Sequence, residues 1–264
     1  MDRVSAHKDY ISQVIRLMIW HVWELANRPS PVQVSVSLEK NVDIMRETCL
    51  FDGRNPADGL DPPVPEWDEL KAVLASHLET HQGDTGPLEE TCWAILEPYI
   101  FPTLKIPDNR GRTYGCWEHD LPDDDPNCID LHFRNAYRPE SPFRDHRHDL
   151  ISTLQRLIID AQSARPSIDR IKCDSWLNQY EPFAAFFPPT WSRSFVPVFS
   201  YMWSNGWWGQ FMDERGAFHV ARAKEFRMTR SHPYSAGLCS CGLYEAISHL
   251  NQLAAKYDGH CAER

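Results

Sequence analysis

CIDLHFRN (residues 128–135) and IDRIKCDSWLNQY (residues 168–180) are the two stretches that decide the fold. Each contains an alternation of apolar and polar residues that is typical of a strand. The chain between them, residues 144–164, has apolar residues at helical spacing. Strands joined by a helical crossover of this length are usually parallel neighbours in one sheet. The sequence therefore predicts a strand–helix–strand unit.

The flanking segments extend this unit in both directions. Helical patterns cover residues 5–27, 66–81, 86–99, 217–228 and 243–257, and alternating valines predict a strand in residues 31–40. A hairpin is predicted from residues 112–121 and 128–137, and further strands are predicted in residues 194–203 and 207–213. We predict an α/β or α+β fold with a helical N-terminal third and a mixed sheet with flanking helices. A single domain over residues 1–264 is preferred to a division into residues 1–107 and 108–264.

Composition narrows the class of function. The formal net charge is −10, which argues against nucleic acids and anionic membranes as partners. No apolar run reaches the roughly 18 residues that span a bilayer, so we expect a soluble cytoplasmic protein. The eight scattered cysteines predict reduced thiols rather than disulfides. We expect the partner to be a small-molecule substrate, and the sequence leaves the oligomeric state open.

The polar residues at the strand ends are the candidate catalytic site. Ligands of parallel sheets gather beyond the carboxyl ends of the strands. His132 lies near one such end and Asp174 near the other, so we predict that Asp174 orients His132 for acid–base chemistry. Arg134 and Asn135 are predicted to bind an anionic or carbonyl group.

Aromatic and amide side chains are the candidate pocket wall. Trp176 and Asn178 follow the second strand of the unit, and Trp208 and Gln210 lie in the aromatic segment WGQF. We expect Trp176 and Trp208 to line the pocket, with Asn178 and Gln210 presenting polar groups to the substrate.

Two alternatives to acid–base chemistry remain. One is a metal-dependent enzyme that uses His119, His132 and a carboxylate. In this hairpin, however, we expect Glu118 and His119 to lie near the start of the second strand rather than beside His132. The other alternative is a non-catalytic protein whose aromatic pocket binds an apolar ligand.

The motifs LHF, SPF, CDSWL, PFAAFFPP and WGQF, in that order over residues 130–213, carry a family resemblance. The pattern resembles uncharacterised bacterial proteins with a SWL…LFPP…WGQF signature. It is also similar to the acyltransferase-like C-terminal domain related to the GNAT superfamily. The resemblance implies an acyltransferase with acyl-CoA as donor. The pyrophosphate loop of that superfamily has only a partial counterpart in RTYGCW (residues 112–117), and no other nucleotide-binding loop is present.

Overall fold

The computed structural model describes residues 3–101, 113–198 and 205–261, and side chains there except those of residues 3, 205 and 257–261. This part of the chain contains eleven α-helices and a five-stranded mixed sheet, which confirms the predicted fold class. The helices are α1 (Arg3–Ala26), α2 (Val34–Lys40), α3 (Pro65–Thr80), α4 (Thr85–Ile100), α5 (Pro142–Asp145), α6 (Arg147–Ala164), α7 (Glu181–Ala184), α8 (Pro189–Arg193), α9 (Asn205–Trp208), α10 (Val220–Thr229) and α11 (Leu243–Cys261). The strands are β1 (Trp117–Asp120), β2 (Cys128–Phe133), β3 (Arg170–Ser175), β4 (Val196–Pro197) and β5 (Gly237–Gly242).

The described residues form two compact units. The first contains residues 3–101, 205–213 and 217–230, and the second contains residues 113–198, 214–216 and 231–261. The predicted division near residue 107 falls close to where the chain first passes between units. The later return of residues 205–213 and 217–230 to the first unit is not encoded by any motif that we identified.

The first unit is helical and has its own apolar core. Helix α1 packs on α4, and α2 packs on both α1 and α3. Trp208 and Phe211 are fully buried in this core. No described helix in either unit combines the length and the apolar character that a membrane crossing requires.

Two of the predicted strands in the first unit are wrong. Residues 31–40 contain helix α2, because the apolar side chains four residues apart, Val34 and Leu38, are both buried. Valine alternation fits a helix as well as a strand when the buried positions are i and i+4. Residues 207–213 contain the end of α9 and a short 3₁₀ turn, Gly209–Phe211, rather than a strand.

The second unit is built on the sheet, whose strand order is β1-β2-β3-β5-β4. Strands β2 and β3 are parallel neighbours, and α6 is the longer of the two helices between them in sequence, which confirms the predicted strand–helix–strand unit. All other neighbours are antiparallel, including the predicted hairpin β1/β2. Helices α6 and α11 pack on each other and cover one face of the sheet.

Strand β5 lies between β3 and β4 and was not predicted. Its sequence, GLCSCG, has glycine at both ends and only small residues between, apart from Leu238. The buried positions are Gly237, Cys239 and Cys241, and the two cysteines belong to the helix-covered core, so alternation is present but weakly apolar. Of the strand predicted over residues 194–203, only Val196–Pro197 is a strand, and residues 199–203 lie outside the described part of the chain.

Candidate functional site

The face of the sheet opposite α6 and α11 is polar, and we call it the open face. Strand alternation directs Ile129, Leu131 and Ile171 into the helix-covered core. The residues between them point the other way. The open face carries Glu118, Asp120, Asp130, His132, Lys172 and Asp174, all of them half-buried or exposed.

His132 lies near the carboxyl end of β2 on the open face and hydrogen-bonds Asp120. The Nε2 atom of His132 is 2.9 Å from Oδ2 of Asp120, and half of the histidine side chain is exposed (50%). The two residues are diagonal neighbours, since Asp120 pairs with Asp130 and Glu118 pairs with His132. A carboxylate on Nε2 favours the tautomer whose proton is on that nitrogen, so Nδ1 carries the lone pair. A histidine whose ring is held by a carboxylate is the arrangement of a general base and its orienting residue.

The structure corrects the predicted partner of His132. Asp174 lies on the open face of β3, but the carboxylate that hydrogen-bonds His132 is Asp120. The parallel β2/β3 ladder ends at Asp130 and Lys172, before it reaches His132. The antiparallel β1/β2 ladder continues past His132 to Phe133 and Trp117. Strand β1, which is still paired with β2 at His132, therefore supplies the hydrogen-bond partner, Asp120.

The same register corrects the predicted hairpin geometry. Glu118 pairs directly with His132 rather than lying near the start of β2. His119 pairs with Leu131, so its side chain lies on the opposite face of the sheet from His132. Burial lowers the pKa of His119 below its usual value.

The three-ligand metal set of the alternative hypothesis therefore does not form, because its two histidines point to opposite faces. Within the residues that the structure describes, no group of three or more histidine, cysteine, aspartate or glutamate side chains is placed to hold a metal ion.

The open face also carries the cationic side chains of Lys172 and Arg134. Lys172 Nζ lies 3.6 Å from a carboxylate oxygen of both Asp125 and Asp130. Arg134 follows β2, and its backbone N–H extends the ladder by donating to the carbonyl of Cys116 over 2.8 Å. Alternation then puts the exposed Arg134 side chain on the same face as His132. An acid–base group and an anion-binding group thus lie two residues apart.

The nearby cysteines are unsuited to covalent catalysis. Burial raises the pKa of Cys128 to about 11. Cys173 is buried on the helix-covered face, and burial raises its pKa well above the usual value. A thiol nucleophile reacts as the thiolate, which neither side chain provides near neutral pH.

Asn135 and Asn178 have structural contacts where binding roles were predicted. Asn178 is buried, and its Nδ2 donates to the carbonyls of Cys173 and Gly237 over 2.8 and 2.7 Å. Its Oδ1 accepts from the indole N–H of Trp191. Asn135 Nδ2 donates to the carbonyls of Glu140 and Glu214, and its Oδ1 accepts from the backbone of Tyr137. Through these hydrogen bonds, both side-chain amides fix the backbone that follows strands β2 and β3.

The four predicted pocket residues are divided between the two units. Trp176 lies in the second unit, where its ring stacks on Tyr234 with centroids 5.4 Å apart. Trp208 and Gln210 belong to the first unit and are fully buried there. Trp208 packs on His21 and Phe211, and Gln210 Nε2 donates to the carbonyl of Trp207 over 2.9 Å. Both side chains are therefore part of the helical core, because the indole of Trp208 packs on neighbouring rings and the amide of Gln210 bonds to the adjacent backbone.

Sequence reasoning missed a polar cluster at the carboxyl ends of β2 and β3, which we call the Glu214 cluster. The Glu214 carboxylate accepts hydrogen bonds from the hydroxyls of Ser141 and Tyr180. Arg144 approaches the same carboxylate within 3.6 Å. The cluster lies in the region where parallel sheets commonly bind ligands. No pattern linked Glu214 to it, because this residue reaches the site from a turn far along the chain.

Comparisons with protein-family models, with curated proteins and with solved structures gave no match for this chain. Arg112, which opens the partial match to the pyrophosphate loop, lies outside the described residues.

Proposed function

We propose that the second unit is a small-molecule enzyme that catalyses acyl transfer or a related group transfer, with His132 as its acid–base residue. The observation that carries the proposal is the 2.9 Å contact between His132 Nε2 and Asp120 Oδ2 on an accessible face of the sheet. Asp120 replaces Asp174 as the orienting carboxylate. Arg134 is the group that binds the developing negative charge on the acyl oxygen.

In the proposed reaction the acyl group passes directly from donor to acceptor, without a covalent acyl-enzyme intermediate on a cysteine. Nδ1 of His132 takes a proton from the acceptor hydroxyl or amine, which forms a bond to the acyl carbon. The bond from that carbon to the leaving group breaks, and the proton passes from the imidazolium to the leaving group. The raised pKa values of Cys128 and Cys173 favour this route, since neither thiol supplies a nucleophile.

An activated ester is the probe that tests the proposal. p-Nitrophenyl acetate with a small amine acceptor reports acyl transfer through release of p-nitrophenolate. His132→Gln should lower the rate by about a hundredfold, within the usual range for loss of a general base. The matched control is His148→Gln, because His148 is exposed and lies 4.0 Å from Asp149 without belonging to the open face. Equal rates in the two variants would refute the role of His132.

A further inference from the structure

A row of three charged side chains, Asp120, Asp130 and Lys172, crosses the open face on neighbouring strands, and we call it the charged row. Asp120 is directly opposite Asp130 in the antiparallel β1/β2 ladder. Asp130 is in turn in register with Lys172 in the parallel β2/β3 ladder, and Lys172 Nζ lies 3.6 Å from Asp130 Oδ2. Because Asp120 also hydrogen-bonds His132, the charged row leads from Lys172 to the proposed acid–base pair.

Asp130 is the member of the charged row whose charge is unfavourable for that pair. Like charges that are directly opposite each other in an antiparallel ladder repel. The Asp130 carboxylate is opposite Asp120 and lies two residues before His132 on the same face of β2, so it adds a second negative charge there. The ammonium of Lys172 is at ion-pair distance from Asp130 and opposes this charge.

Lys172 also completes a balanced group of four charges at this end of the sheet. Asp125 Oδ2 lies 3.6 Å from Lys172 Nζ, and Asp125 Oδ1 accepts a hydrogen bond from Arg170. That hydrogen bond lowers the pKa of Asp125, so this carboxylate is ionised at neutral pH. Burial lowers the pKa of Lys172, but Asp130 and the other acidic groups nearby raise it above its usual value overall. Two cations therefore face two carboxylates, and loss of Lys172 leaves one net negative charge.

From this arrangement we infer that Lys172 is a positioning residue for the acid–base pair of the proposed function, on which this inference rests. By opposing the charge of Asp130, Lys172 limits the negative charge around His132. An uncompensated carboxylate at this place would stabilise the imidazolium form of the ring. His132 would then act as a base only at higher pH. Lys172 thus sets the pH range of the reaction without touching the reacting atoms.

The other charged groups on the open face near His132 come from all three strands of the charged row. Strand β5, which lies beyond β3, adds the uncharged side chains of Leu238 and Ser240 to this face. The charged groups are Glu118 and Asp120 on β1, Arg134 after β2, and Asp174 on β3. Substitutions at Lys172 and Asp130 leave all of these charges in place, so a difference between such variants reports the charged row itself.

The test is an NMR titration of the ring C–H resonances of His132 in the full chain, with the His132→Gln variant to assign them. Lys172→Met should raise the titration midpoint by about 0.3–0.5 pH unit at low ionic strength, as one charge about 8 Å away in water would. Asp130→Asn should lower the midpoint by a similar amount. The double variant loses one charge of each sign, so its midpoint should return to within about 0.1 pH unit of the unmodified chain.

The matched control is Lys256→Met, the same substitution at an exposed position of α11, which packs on the other face of the sheet. Its midpoint should equal that of the unmodified chain. An unmoved midpoint in Lys172→Met would overturn the inference, and so would a double variant that keeps the shift of Lys172→Met. If Lys172→Met does not fold, Asp130→Asn decides, because its midpoint must fall.

The rate of acyl transfer from p-nitrophenyl acetate gives a second readout. The acidic limb of its pH profile should move in the same direction as the NMR midpoint in each variant. The titration needs no substrate, so it still decides the electrostatic role of Lys172 if the chain transfers no acyl group. Shifted midpoints without any transfer would refute the proposed function and the positioning role with it, whereas transfer with unmoved midpoints would refute only the role of Lys172.

Discussion

Among single residues, the buried polar side chains of Asn178 and His21 have different surroundings: one makes several hydrogen bonds, and the other packs among aromatic rings. Asn178 makes three hydrogen bonds that join β3, β5 and α8. His21 is buried among the rings of Trp20, Trp208 and Phe226. Sequence analysis assigned Asn178 to substrate binding because it follows a strand end. Its partners Trp191 and Gly237 lie 13 and 59 residues further along the chain, so no sequence pattern indicated its structural role.

Asn178→Ala should destabilise the second unit by about 2–4 kcal/mol, because it leaves two carbonyls and one indole N–H without their partner. Chemical unfolding followed by circular dichroism measures the loss. Asn251→Ala is the control: Asn251 makes one exposed hydrogen bond with Gln155, and its loss should cost less than about 0.5 kcal/mol. Similar losses in the two variants would contradict the structural role of Asn178.

His21 should make the first unit sensitive to acid. Burial, together with the charge of Arg28, lowers the pKa of His21 to about 3, whereas the unfolded chain titrates near 6.5. Between these values the unfolded state binds a proton that the folded state does not. The free energy of unfolding therefore falls as pH falls through this window, by about 1.4 kcal/mol per pH unit from this residue.

The measurement is denaturant unfolding between pH 6 and pH 4 for the unmodified chain and for His21→Leu. The leucine variant should have the shallower pH dependence, by about the slope given above. His77→Ala, a change at an exposed histidine of the same unit, should leave the pH dependence as it was. Parallel curves for His21→Leu and the unmodified chain would show that His21 does not carry the effect.

Helices and strands were predicted correctly where the apolar periodicity and the length of the segment indicated the same element. The prediction failed where only one of these two signals was present. Helix α6 follows its apolar stripe, and the β1/β2 hairpin has strong strands on both sides of an acidic turn. Strand β5 is as long as β2 and β3 but has few strongly apolar residues, so its pairing with β3 and β4 defines it. The partner of His132 required the hairpin register, and a shift of two residues changes which side chains meet.

Gly237, the first residue of β5, should tolerate no side chain. A Cβ there would lie 2.5 Å from the ring of Phe195 and 2.7 Å from the carbonyl oxygen of Val196. Gly237→Ala should therefore separate β4 from β5 and lower the free energy of unfolding by about 1–3 kcal/mol. Gly242→Ala at the other end of β5 is the matched control, since its nearest atom is a flexible side chain 3.7 Å away. A larger loss at Gly242 would contradict the packing described for β4.

At the scale of the whole molecule, the chain order and the two units do not coincide. The first unit takes residues 205–213 and 217–230 from the C-terminal half of the sequence. Arg227 makes a bidentate ion pair with Glu89 over 2.8 and 2.9 Å, and Phe226 packs edge-on against Trp20. Composition and periodicity describe segments locally, so they predict the helices but not which unit a helix joins.

A fragment of residues 1–112 should consequently lack a complete core. Without Trp208, Phe211 and Phe226, the surface of α1 around Trp20 and His21 is exposed. We expect helical far-ultraviolet circular dichroism, binding of a hydrophobic dye, and no cooperative thermal transition. A fragment that unfolds cooperatively and does not bind the dye would show that the returning segments are dispensable.

We propose that Asp120, rather than Asp174, orients His132 for acid–base catalysis. The most direct test compares Asp120→Asn with Asp174→Asn in acyl transfer from p-nitrophenyl acetate. Both carboxylates lie on the open face, and both variants keep the size of the side chain. We expect Asp120→Asn to lower the rate by about tenfold or more, and Asp174→Asn to stay within about twofold of the unmodified chain. A loss confined to Asp174→Asn would contradict the proposal.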